Sequence, residues 1–240
     1  MNLRRLILTL LSLSLTICAS SQRRVSADVQ VKTLSGGKVT TVTKSVYCSN
    51  NGRLVAYFHT PAKYVMLTNP GGETRIYLPS VNEVMTPDRD ADISSRDELL
   101  SIYMTGRLDD LGLSLYGYRA VSSSTTEEGY LKKQFTASSS ASPMASVEIV
   151  YDKYLPIYCE YTSPSGKVVR RLYLSHYTTV PGSRLTLPLR LTSIEYPTAK
   201  DSVIVRTLYS NVQVDRDDPG FDFEIPSDAR AVALPSPSKP

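Results

Sequence analysis

Tryptophan is absent from this chain, and histidine occurs only at His59 and His176. Neither histidine has a cysteine or second histidine at ligand spacing, so zinc sites and histidine-based triads lack their components. No Gly-x-Ser-x-Gly, phosphate loop or dinucleotide fingerprint occurs. The run Asp88-Arg-Asp90-Ala-Asp92 begins like a calcium loop. It then places Ile93 where glycine is needed and Leu99 where the bidentate glutamate belongs. No metal, no cofactor and no catalytic activity are therefore expected. Charge of one sign is also scarce, with 27 Lys and Arg against 23 Asp and Glu. That balance gives no electrostatic case for nucleic acid as a partner. Beyond residue 21 no apolar run approaches the about 20 residues that a membrane-spanning helix needs, so no transmembrane segment is expected in the mature chain.

What is present at the start is an ordered series. Arg4 and Arg5 precede an apolar stretch, residues 6–18, which ends in the small residues Ala19, Ser20 and Ser21. This is the pattern of a cleaved secretory signal, with the cut expected before Gln22. The rival is a lipoprotein signal anchored through Cys18, but the bulky Ile17 stands where a small residue is wanted. Cleavage removes Arg4 and Arg5 and no carboxylate, which lowers the formal net charge from +4 to +2. Two cysteines remain, Cys48 and Cys159. An oxidising compartment permits a disulfide between them, and two buried thiols are the alternative.

The body reads as β-structure. Residues 39–48, 54–60, 64–69 and 74–78 are short β-branched and aromatic runs. Asn50-Asn51-Gly52, Thr60-Pro61 and Asn69-Pro70-Gly71-Gly72 separate them as turns. Residues 95–106 form the exception. Ser95 and Glu98 make a capping box, Leu99 and Tyr103 then Leu100 and Met104 pair at helical spacing, and Gly106 is a stop. Strands are expected again at 113–121, 130–136, 147–151, 154–162, 167–177, 184–196 and 202–215, with polar loops at 122–129 and 136–146. Leu185, Leu187, Leu189 and Leu191 give the clearest period-two pattern, in which Pro188 demands a bulge or an edge. The fold class is mainly β: about ten antiparallel strands in a strongly curved sheet, an open half-barrel with one covering helix. Residues 1–21 are the signal, 22–232 a single domain, and 233–240 a Pro- and Ser-rich disordered tail.

One segment carries a resemblance. Residues 51–84 run as a strand, a Thr-Pro corner, an aromatic strand, a glycine turn, and then Ile76-Tyr77-Leu78-Pro79 with Asn82-Glu83-Val84. Pro61, Tyr64, Gly72, Tyr77, Pro79 and Val84 occupy places similar to those in the LolA-like periplasmic lipoprotein carriers. Phe221-Asp-Phe223-Glu-Ile-Pro226, followed by Ala229 and Val232, resembles the close of that family's chains. Members usually begin with a long amphipathic helix, whereas residues 27–32 alternate here like a strand. The resemblance implies an eleven-stranded half-barrel whose apolar concave face lies under a helical lid. Its implied function is a periplasmic chaperone-like carrier of lipids or acylated lipoproteins, exchanging cargo with membrane-bound donor and acceptor proteins. The candidate cavity residues are Phe58, Met66, Ile76, Leu78, Leu100 and Met104. The alternative is a non-catalytic module that binds an envelope protein through the loops at 122–129 and 136–146.

Overall fold

The computed structural model describes residues 24–87, 99–104, 106–139, 142–183, 185–198 and 201–233. The signal-like segment, the acidic run Asp88–Asp92, the capping box and residues 234–240 lie outside them. Alternation between apolar and polar residues produces fourteen strands. The first six are β1 (Arg24–Ser35), β2 (Lys38–Ser49), β3 (Leu54–Thr60), β4 (Tyr64–Thr68), β5 (Thr74–Leu78) and β6 (Glu83–Met85). Helix α1 (Leu99–Met104) follows. Then come β7 (Tyr118–Thr125), β8 (Leu131–Ala137), β9 (Ser146–Asp152), β10 (Leu155–Thr162), β11 (Val168–Thr179), β12 (Thr186–Glu195), β13 (Val203–Val214) and β14 (Arg230–Val232).

All fourteen belong to one sheet in the order β14-β6-β5-β4-β3-β2-β1-β13-β12-β11-β10-β9-β8-β7. Two meanders, β1 to β6 and β7 to β13, therefore join where β13 pairs antiparallel with β1, and the sheet curls without closing. Register shifts at Ser26/Asp28, Thr43/Lys44, Ala120/Ser122, Pro156/Tyr158 and Tyr161/Thr162 mark bulges, which bend strands and tighten twist. The half-barrel class stands, but its details differ from expectation. Among the described residues there are fourteen strands, not ten or eleven, because β1, the short β6 and the short β14 pair as well. One pair, β14 with β6, is parallel. The alternation at residues 27–32 is a strand, part of β1.

The expected strand at 113–121 is two elements. Leu113–Tyr116 form a 3-10 turn between Gly112 and Gly117, both in the left-handed region. The Asp110 carboxylate accepts from the Gly112 and Ser114 amides at 2.8 and 3.0 Å, which fixes this turn before β7 begins. The loop expected at 122–129 is correspondingly shorter. Helix α1 matches the expected helix over its described part. Pro188 precedes Arg190, where the pairing of β12 with β13 begins, and lies opposite Tyr177 of β11 on the other side.

The two faces of the sheet are buried differently. The inner face carries Val25, Ala27, Val29, Val46, Cys48, Leu54, Ala56, Val147, Ile149, Cys159, Leu172 and Leu187 in one core under α1. The outer face is covered only near β2–β5. There Val55, Val65 and Tyr77 pack with Phe223, Ile225 and Ala229 of the returning C-terminal segment. Arg53 holds that segment by donating from Nε to the Phe221 carbonyl at 3.1 Å and from Nη2 to the Phe223 carbonyl. Asp218 starts it by accepting from the Gly220 amide at 2.8 Å.

Cys48 and Cys159 are both buried in the inner core and carry no bond to one another in this structure. Burial pushes the Cys159 thiol up to about 12. Burial likewise raises the hydroxyl pKa of Tyr103, Tyr151 and Tyr177. The unfolded chain ionises such groups near 8.5 and 10, so above those values it binds fewer protons than the fold does. Stability is therefore full at neutral pH and falls as pH rises above about 8.5, more steeply above about 10. Urea midpoints measured from pH 7 to 11 should decline in that order, and a flat profile would contradict burial of these groups.

Candidate functional site

Strands β1, β11, β12 and β13 present a second apolar surface on the inner face. Register sets Val29 opposite Tyr209 and Val31 opposite Thr207, with Leu191 on the other side of Thr207 and Leu174 beyond it. Val29, Val31, Leu172, Leu191, Val205 and Tyr209 line a cavity of about 180 Å³ together with Leu99 of α1 and the polar Lys44, Arg170, Ser193, Glu195 and Thr207. The apolar residues meet because alternate positions of every strand point the same way.

Part of the lining is charged. Arg170 lies opposite Glu195 across β11–β12, with Ser193 beside them, and Lys44 lies opposite Val29 across β1–β2. The Arg170 Nε donates to Ser193 Oγ at 3.0 Å and lies 3.9 Å from Glu195 Oε1. Its guanidinium sits 5.4 Å from the Tyr161 ring centroid, while Lys44 Nζ sits 5.5 Å from that of Phe58. Two cations against one carboxylate leave the lining as a whole positive.

The lid is tied to the sheet through tyrosine hydroxyls. Leu99, Leu100 and Tyr103 are the buried residues of α1. The hydroxyls of Tyr103 and Tyr177 are 2.8 Å apart, and Tyr177 donates to the Pro156 carbonyl. Tyr177 has one proton to give, so Tyr103 must be the donor between the two rings. Just past the helix, Tyr151 donates to the Asp109 carbonyl at 2.6 Å. Replacing Tyr103 by Phe removes one such bond, worth about 0.5–1.5 kcal/mol. Amide exchange of α1 should then accelerate by about two- to tenfold with β-strand exchange unchanged.

The six residues singled out from the sequence lie elsewhere on the same side of the molecule. Met66 and Leu100 are core, and Phe58 and Met104 pack against it. Phe58 stacks on Tyr64 at 4.1 Å. Ile76 pairs with Met66 across β4–β5, and Leu78 lies opposite Glu83, both half-buried. None of the six lines the cavity under Leu99. The residues that do line it carry their own sequence signal, the leucine alternation of β12 and the alternation of residues 27–32. Thr68, Pro70, Ile102 and Arg107 contribute to a larger cleft of about 330 Å³ near the β2–β3 and β4–β5 turns. Among the described residues, no group of three His, Cys, Asp or Glu side chains is placed to hold a metal ion.

No protein-family model and no curated protein matches the sequence. Solved structures do. A DUF1329 family protein from Desulfovibrio piger superposes with a TM-score of 0.59 at 16% identity, over 84% of this chain and 90% of that one. A LolA superfamily protein from Nitrosomonas europaea gives 0.56 at 14% identity, over 83% and 89%. A Vibrio parahaemolyticus domain described as an outer membrane lipoprotein-sorting protein gives 0.57 at 11%, also over 83% and 89%. The chain has a LolA-like fold. At these identities the likeness is one of fold. Within that LolA-like frame, the cavity on the concave side beneath α1 is the candidate site.

Proposed function

We propose that this protein is a periplasmic carrier that shields the acyl chains of lipids or lipoproteins on the concave face of its half-barrel. The single observation that carries this reading is the cavity of β1, β11, β12 and β13, where Val29, Val31, Leu172, Leu191 and Val205 meet Leu99 of α1 beside Lys44, Arg170 and Glu195. Shielding an acyl chain requires no chemistry. Each buried CH₂ gains about 0.8 kcal/mol. The cavity of about 180 Å³ is small for a lipid chain, so loading requires α1 to move outward. With α1 displaced, Met66, Phe58, Leu100 and Met104 would extend the same apolar surface, and Ile76 and Leu78 would prolong it along β5. The cationic side chains of the lining would receive a polar and preferably anionic headgroup. A lipoprotein-sorting neighbour of the same fold supports this reading, as does the signal-like N-terminus.

The test is a lipid census of the exported protein by native mass spectrometry after mild extraction, together with titration of a fluorescent fatty acid. Co-purifying lipid or saturable probe binding is expected. Absence of both would remove the carrier reading and leave the non-catalytic interaction module, for which one envelope protein should be captured in stoichiometric amount.

A further inference from the structure

Outside the region covered by the C-terminal segment, the outer face of the sheet carries its own pattern of charge. Arg171 is paired there with Glu160 at 3.0 Å, and Lys132 with Glu148 at 3.2 Å. Lys32, Arg190 and Arg206 are different. Register places Lys32 of β1 directly opposite Arg206 of β13, and Arg206 opposite Thr192 of β12. Arg190 lies two residues from Thr192 on the same strand, opposite Leu208. Residues directly opposite are about 5 Å apart and diagonal ones about 7–8 Å, so the three long side chains can reach one small anion. They line a depression of about 300 Å³ together with Thr192 and Leu208. All three are exposed, and among the described residues no carboxylate pairs with any of them.

Like charges set opposite each other on a sheet oppose folding. Three unneutralised cations converging on one depression, on a face where Arg171 and Lys132 have carboxylate partners, point to an anionic partner supplied from outside. Phosphate suits them, because the guanidinium fork matches its oxygens and the ammonium adds a point charge. The surroundings narrow the source. Leu34, Leu208 and Tyr173 are 40%, 36% and 40% exposed. Leu34 follows Lys32 by two positions, and Tyr173 lies opposite Thr192. Cations interleaved with exposed leucines and a tyrosine suit a headgroup layer, where aliphatic and aromatic carbon meets the interface and charge meets phosphate.

We propose that this outer-face depression binds the phosphate of an anionic phospholipid headgroup. Lys32, Arg190 and Arg206 hold the oxygens, and Leu34, Leu208 and Tyr173 meet interfacial carbon. The patch is on the face opposite the cavity, so it stands or falls apart from whether the cavity takes acyl chains.

The test is co-sedimentation of the exported protein with vesicles of phosphatidylglycerol and phosphatidylcholine, against phosphatidylcholine alone. Binding is expected only with phosphatidylglycerol. The Lys32→Gln, Arg190→Gln and Arg206→Gln changes should each lower partitioning about fivefold, and the triple variant about a hundredfold. Lys167→Gln, in the exposed β10–β11 turn, should leave it unchanged. Circular dichroism checks that the triple variant is folded. No binding to phosphatidylglycerol vesicles overturns the proposal, as does an equal loss with Lys167→Gln. Binding of inorganic phosphate by a protein that ignores the vesicles also overturns it, in favour of a soluble phosphate ligand.

Discussion

Replacing Phe221 by Ala is expected to lower the free energy of unfolding by about 3–5 kcal/mol, the range for truncating a buried aromatic side chain. Phe221 is only 2% exposed. Its ring meets Tyr47 edge to face at 5.1 Å and lies 5.3 Å from the Arg24 guanidinium. Arg24 also grips Asp222, the next residue, through two hydrogen bonds of 2.9 and 3.2 Å. The substitution therefore empties a filled site and loosens the segment that carries Phe223 onto Tyr57 and Tyr77. That segment then runs on to β14 at the edge of the sheet, where Arg230 pairs with Glu83. A change of this size is a large share of a typical domain's stability and should move the thermal midpoint by roughly 6–20 °C. Calorimetry reads it directly. An unchanged midpoint would mean that the C-terminal segment is not docked on the outer face in solution.

Replacing Thr207 by Trp should reduce the affinity for a fluorescent fatty acid at least about tenfold, equivalent to about 1.4 kcal/mol. Thr207 sits between Val31 and Leu191 in the register, at the centre of the cavity floor, so an indole there occupies the space an acyl chain would enter. Its own stability cost is about 1–3 kcal/mol where neighbours must shift, so thermal melting has to show that the variant is folded at the assay temperature. Gln134→Trp, on the outer face of β8, serves as the control and should bind the probe normally. Unchanged affinity in folded Thr207→Trp would place the probe somewhere other than this cavity.

Several of these residues announce themselves locally. The bounds of β3 and β5 follow directly from β-branched and aromatic runs between Asn-Gly and Pro-Gly turns. The Phe-x-Phe-x-x-Pro segment is visible as a motif, but its docking onto Tyr47 and Tyr57, about 170 residues away in sequence, is not. The polar stretch Ser122–Thr125 reads as a loop because it has no apolar face. It is a strand because β8 pairs with it at the sheet's edge, where no side needs to be apolar.

The cavity shows the same division. The sequence by itself determined which residues of each strand share a face, since side chains alternate with a period of two whatever the strand is paired with. It thereby determined a mainly β, one-sided apolar sheet and the helix that covers it. Only the tertiary structure decided that β13 closes back onto β1, and with it that Val29 and Val31 meet Leu191, Val205 and Tyr209 under Leu99 rather than Met66 and Ile76 doing so. The same closure set Lys32 against Arg206. Pairing between strands so distant in sequence depends on the whole path and register of the chain, which no local pattern encodes.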